Sequence, residues 1–219
     1  MDRAIELWGS SLGPLLRATL TATIPLSIIC FIIALALGSL VALTRFNRIP
    51  VLSQLGAIYV WVFRGTPLLV QLFIVFYGLP KLGVALDAWT AAIITLSLNT
   101  GAYASEAIRA AISAIPKGQW EAAASLGLSS WHTHTKVIAP QTVRIALPPL
   151  GNDFIDLVKG TSLTASITVV EVFLVGQRIA AATFEPLILY VEVAAIYLVI
   201  NTVLTWAQSR LERRFSRYV

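Results

Sequence analysis

The chain has 219 residues, of which 57% are apolar and 12% charged, against about 25% charged in an ordinary soluble domain. A surface this apolar needs lipid or a partner to cover it, which excludes an ordinary soluble domain and points to one polytopic, all-α integral membrane domain. The net charge of +5 is spread through loops rather than gathered on one face, which excludes a nucleic-acid partner.

Asp2, Arg3, Glu6 and Arg17 lie in the first 17 residues, and no small-residue cleavage site follows the first apolar run. No removable signal peptide is expected. Residues 18–44 carry no charge and predict a first span, long enough to cross about 30 Å of hydrocarbon with tilt. The single cysteine, Cys30, lies within it, which excludes an intramolecular disulfide. Residues 51–63 predict a helix near the interface. Arg64-Gly65-Thr66-Pro67 interrupts the apolar run, and 65–80 predict a second span. A short loop at 81–87 leads to a third span over 88–108, whose first eighteen residues are uncharged. A polar loop follows at about 110–145. A fourth span, 147–163, carries Asp153, Asp156 and Lys159. The stretch 164–186, with Glu171, Arg178 and Glu185, predicts a loop with a short helix ending at Pro186. Residues 187–209 predict a fifth span, and an arginine-rich tail closes the chain.

Within the polar loop, residues 117–140 predict two short helices bent about a glycine. Pro116 opens the first, since a helix start leaves its N–H unpaired anyway. Gly127 ends it in the left-handed region, Ser129 or Ser130 caps the second, and Pro140 stops it. Ala122, Ala123 and Ala124 give a shallow face that another backbone can approach closely.

Five spans place the termini on opposite sides. Arg45, Arg48, Arg109, Lys117, Lys136, Arg144, Arg210, Arg213, Arg214 and Arg217 share one side, whereas Arg3, Arg17, Lys81 and Arg178 share the other. The positive-inside rule then expects the polar loop and C terminus in the cytoplasm, with the N terminus outside.

Glu121-Ala122-Ala123, three residues, Gly127, nine residues, then Val137-Ile138-Ala139-Pro140 resembles the EAA loop of permease subunits of ABC importers. The usual Ile-x-Leu-Pro ending reads Val-x-Ala-Pro here. Phe63-Arg64-Gly65-Thr66-Pro67-Leu68-Leu69 with Gln71-Leu72-Phe73, Leu98 to Glu106, and Leu157 to Leu163 resemble blocks of polar amino-acid uptake permeases, with the cystine type most similar. Together these blocks cover residues 63–163. The resemblance implies a type I importer fold of about five spans in a bacterial inner membrane. Its implied partners are cytoplasmic ABC ATPase subunits, a second permease subunit (itself or a sibling) and an extracytoplasmic amino-acid-binding protein. It implies docking to the ATPase through Glu121, Ala122, Ala123 and Gly127. The chain has no G-x-x-x-x-G-K-[ST] sequence, so ATP and Mg are expected on the partner, with no cofactor, metal or catalytic residue in this chain.

Polar residues inside spans are the candidates for the substrate pathway, because each is costly unless it faces protein or a wet cavity. Asn99, Tyr103 and Glu106 fall four and three residues apart, on one helical face. Asn99 serves the cavity or an interhelical hydrogen bond, and Glu106 serves the cavity or an i,i+3 pair with Arg109. Lys159 needs an anion, either Asp156 or a substrate carboxylate. Gly160, frequently aspartate in the family, opens the helix for Thr161 and Ser162, and Asp156 one turn earlier replaces the missing charge. Arg64 either obeys charge topology or shapes an inner gate. His132 and His134 lie two apart, unsuited to one metal, and read as surface histidines. Two rivals remain: an ion-gradient-driven secondary transporter using Glu106 and Asp156, and an intramembrane hydrolase, for which no H-E-x-x-H or nucleophile elbow exists.

Overall fold

In hydrocarbon a backbone amide must be paired within its own segment, so apolar stretches of this length fold as helices. The computed structural model describes residues 2–216, with side chains for 6–214. The expectations placed on the Arg3 side chain and on Arg217 lie outside what is described. No strand forms among them.

Helix α1 (Asp2–Ala18), a π-helical turn (Thr19–Thr23) and α2 (Ile24–Phe46) follow one another without a break. Among the described residues the stretch 18–44 thus lies within a longer helical rod, Glu6–Phe46. Helix α3 (Leu52–Gly65) ends at extended Thr66, because the Pro67 ring disfavours a helical residue before it. Beyond the break, α4 (Leu68–Phe73) runs through a π turn (Ile74–Gly78) and a 3₁₀ turn (Leu79–Leu82). The two halves meet at 107°.

Helix α5 (Ala88–Ser113) is capped by Asp87, whose carboxylate accepts from Trp89 N at 3.0 Å and Thr90 N at 3.1 Å. Two short helices follow, α6 (Lys117–Ser125) and α7 (Ser130–His132). A π turn (Thr133–Ile138) then leads into α8 (Ala139–Gly160) and a 3₁₀ turn (Thr161–Ile167). Helices α9 (Val172–Thr183) and α10 (Pro186–Ser216) complete the described chain. Pro140 does not stop the second helix of the polar loop, as its sequence position suggested. Residues from Ser130 to Ile167 form one continuous helical stretch. The reason is local. Each π turn ends two residues before a proline, Pro25, Pro80 or Pro140, and widening the turn makes room for a ring that crowds the carbonyl four residues back.

Among the described residues, Glu6–Phe46 and Pro186–Arg214 are each long and apolar enough to cross a membrane, as are two bent pairs, α3 with α4 and Ser130–Ile167 with α9. Helix α5, with polar groups along its length, sits at the centre of the fold against α2, α3 and α8. Small residues at fourth positions let α2 and α5 approach: Ala34, Gly38 and Ala42 face Ser97, Gly101 and Ser105.

Leu26, Leu72, Leu96, Leu157 and Ile167 fill the main core. A second core, Leu15, Val172, Val193 and Ile196, joins α1, α9 and α10. Two carboxyl groups are buried beside it. Ser11 donates to Glu192 at 2.5 Å, while Glu171 caps α9 by accepting from Leu174 N at 2.8 Å and from the Tyr197 hydroxyl at 2.9 Å. The short helix of the 164–186 stretch is α9, and a wholly buried acid, Glu171, starts it.

Candidate functional site

Breaking a helix inside a membrane frees carbonyls that must find donors. At the α3–α4 break, Gln71 Nε2 donates to the Phe63 carbonyl at 2.9 Å, the Thr66 carbonyl at 3.1 Å and the Thr66 hydroxyl at 2.8 Å. Asn99 Nδ2 donates to Gln71 Oε1 at 3.0 Å and to the same Phe63 carbonyl at 3.2 Å. Asn99 therefore makes the interhelical bond, and it lines a cavity as well.

That cavity, about 280 Å³, lies between α5, α8 and the start of α4. Its walls are Asn99, Thr100, Tyr103, Asp153, Asp156, Leu68 and Leu157. Asp153, in the cavity wall, has a buried carboxylate oxygen, Oδ2, with no hydrogen-bond partner. Asp156 is held by Lys159, whose Nζ lies 2.7 Å from Oδ1. Both side chains of this pair are more than half exposed, so the ion pair itself adds little stability and leaves both groups available. Of the pathway residues expected from sequence, the structure brings Asn99 and Asp156 to the cavity. Lys159 stands one contact away. Thr161 is fully buried with its hydroxyl on the Val158 carbonyl, and Ser162 donates to the Lys159 carbonyl at 2.7 Å; neither lines the cavity. Asp153 was passed over, although it precedes Asp156 by three residues and so shares its face of α8.

Glu106 lies apart from the cavity, in an ion cluster. Its carboxylate accepts from Arg45, and from Arg109 at 2.8 Å, and lies 4.0 Å from Arg64. The Arg64 guanidinium also stacks 5.2 Å from the centre of the Tyr103 ring. The cluster thus joins α2, the end of α3 and α5, directly beside a cavity wall.

The predicted elbow forms at the other end of α8. The N–H groups of Gly127 and Leu128 reach back to the carbonyls of Ala124 and Ala123, at 3.0 and 3.1 Å. This double return requires a left-handed residue, and Gly127 supplies it at φ +66°. Ser129 then caps α7 by accepting from His132 N. Glu121 and Ala122 are exposed, whereas Ala123 is buried. Trp120 anchors α6 by stacking 6.0 Å from Phe46 and lying edge-on to His134. Both histidines engage serines of their own segment, and no group of three metal-ligating side chains occurs among the described residues.

A family profile described as "Binding-protein-dependent transport system inner membrane component" matches residues 34–217. The chain belongs to that family. This permease is 45% identical over 215 residues to the L-cystine transport system permease protein TcyB of Bacillus subtilis (strain 168), across 98% of this chain and 92% of the relative. It is 38% identical over 203 residues to the glutamine transport system permease protein GlnP of Escherichia coli (strain K12), across 92% and 93%. Among solved structures, a chain described under "Crystal structure of an amino acid ABC transporter with histidines" superposes with a TM-score of 0.86 at 34% identity, covering 93% of this chain and 95% of that one. A chain of the inward-facing MetNI methionine ABC transporter shares the fold, with a TM-score of 0.73 at 20% identity over 94% and 96%. The permease is a multi-pass inner-membrane subunit of an ABC importer. It transports rather than catalyses, and it works with an ATPase partner. The same finding sets aside the gradient-driven transporter and the intramembrane hydrolase.

Proposed function

We propose that this permease moves a polar amino acid inward, cystine or a related molecule, through the cavity between α5 and α8. The Asp153 carboxylate in the cavity wall, one oxygen of which has no hydrogen-bond partner, carries the proposal. It suits the substrate ammonium, while the Asn99 amide and Tyr103 hydroxyl offer neutral polar contacts. Lys159 can leave Asp156 to meet the substrate carboxylate, and Asp156 then supplies the charge absent at Gly160. Thr161 and Ser162 serve by shaping the 3₁₀ turn below the cavity. The Glu106–arginine cluster, with Arg64, acts as the inner gate.

In this reading Glu121, Ala122 and Gly127 present α6 to an ATPase that binds ATP and Mg, and buried Ala123 seats α6 on its own subunit. Helix α8 and the turns before it cover about 35 Å from Ser130 to Asp153, so a push on the elbow is transmitted to the acidic wall. The α6 end faces the cytoplasm and the N terminus faces outward, in line with the distribution of basic residues. A second permease subunit and an extracytoplasmic binding protein complete the assembly.

Proteoliposomes holding the permease, its ATPase and the binding protein would test this with labelled amino acids. Uptake should require ATP, survive an ionophore and fail in Asp153→Asn. Uptake that proceeds without ATP, or that is unchanged in Asp153→Asn, would overturn the reading.

A further inference from the structure

The link between α2 and α3 carries strain. Arg48 adopts φ +51° and Val51 φ +66°, a region that L-residues avoid unless their surroundings demand it. The strained link folds over a crevice of about 450 Å³, walled by Arg45, Arg48 and Arg109 with Ser53, Gln54 and Ile49. No acid lines it. Glu106 neutralises only part of the adjoining charge: one carboxylate answers Arg45, Arg64 and Arg109, and Arg48 has no ion-pair partner among the described residues. The crevice therefore carries an excess of positive charge, which attracts an anion at the membrane surface.

We propose that this crevice binds the phosphate of an anionic phospholipid headgroup. Guanidinium forks match phosphate oxygens by paired hydrogen bonds, and Ser53 and Gln54 add neutral donors for a glycerol headgroup. The lipid source is favoured over free phosphate by what adjoins the crevice. Leu52, Leu55, Ile58 and Val62 lie exposed along one face of α3, starting at the crevice and running away from it. A soluble anion has no use for that strip. An acyl chain does. Basic crevices between helices at the membrane surface take anionic headgroups on the same grounds.

Native mass spectrometry of the detergent-solubilised permease with its ATPase partner tests the assignment, using dioleoyl phosphatidylglycerol against dioleoyl phosphatidylcholine. Phosphatidylglycerol should remain bound where phosphatidylcholine does not. Arg48→Asn removes the charge yet tolerates the left-handed backbone, and should weaken retention about tenfold, in the range of a charged hydrogen bond. Arg48→Lys should keep most of it, and Lys81→Gln, which removes a distant charge, should change nothing. The paired variant Leu55→Gln/Ile58→Gln should weaken the lipid while leaving competition by inorganic phosphate intact. Equal retention of both lipids, or wild-type retention in Arg48→Asn, would overturn the proposal. Inorganic phosphate that displaces the lipid at equal concentration would also overturn it, by assigning the crevice to a free anion.

Discussion

Asn99 on α5 and Gln71 on α4 hold each other at 3.0 Å beside the break between α3 and α4, and both donate to the Phe63 carbonyl. One side chain of the central helix α5 thereby fixes the 107° angle of the broken segment and forms part of the cavity wall.

Asn99→Ala should destabilise the protein by about 1–3 kcal/mol, because it leaves the Gln71 carbonyl oxygen without its donor. Thermal unfolding in detergent measures this directly. Asn99→Asp should behave worse than alanine, since a carboxylate would face Gln71 Oε1 and the Phe63 carbonyl. A melting temperature equal to wild type in both variants would remove the role of Asn99 in fixing the broken segment.

Gly38→Ala should be costly for steric reasons. An added Cβ would lie 3.0 Å from Ala104 Cβ, 3.0 Å from the Gly101 carbonyl oxygen and 3.1 Å from Ser105 N. Two of these are backbone atoms of α5 and cannot swing aside. We expect a loss of about 1–3 kcal/mol, with Gly38→Leu failing to accumulate. Expression level and melting temperature report it, and Gly65→Ala, where nothing lies within 4 Å, is the control.

Glu106→Gln leaves three arginines facing a neutral amide. The side chains involved are 18–44% exposed, so solvent screens part of the repulsion, and a loss of about 2 kcal/mol is expected. Transport should change more than stability. Proteoliposome uptake should become leaky to the substrate in the absence of ATP if this cluster closes the pathway, and should stay tight if it only braces three helices.

Asp87 lies outside the spans and caps α5. Hydrogen bonding from the Thr90 hydroxyl, then from the Thr90 amide, holds its carboxyl below the ordinary aspartate value of 3.8. A depressed folded pKa means the contribution is complete above the unfolded value and is lost as pH falls through the folded one. The melting-temperature difference between wild type and Asp87→Ala should therefore be full at about pH 7 and shrink below about pH 4. Asp87→Asn, a competent cap at every pH, should show no such narrowing.

Gly127→Val places a β-branched residue at φ +66°, at a cost of about 1–2 kcal/mol or more. The elbow should rearrange while the spans persist. Substrate-stimulated ATP hydrolysis should fall at least tenfold more than binding-protein docking does, and parallel losses in both would place the defect in folding instead.

Local spacing made part of this structure legible. The left-handed Gly127 follows from a glycine at a helix end, a cap at Ser129 or Ser130 from the serines after it, and the Glu106–Arg109 and Asp156–Lys159 pairs from offsets of one helical turn. Partners distant in sequence were not legible: nothing in the local pattern sends Arg45 or Arg64 to Glu106, or Gln71 to Asn99. The continuation past Pro140 was missed because a proline reads as a helix stop, whereas the π turn two residues before it relieves the crowding. Glu192 drew no notice from sequence, since its only hydrogen-bonding partner among the described residues is Ser11, at the far end of the chain.

That last pairing gives the opening helix a duty unlike those of the other spans. Were α1 stripped away, a carboxyl group on α10 would be left bare against acyl chains, with neither its hydroxyl companion nor the Leu15 packing beside it. Ser11 and Leu15 act as the stopper that shields Glu192 of the final helix from the acyl chains.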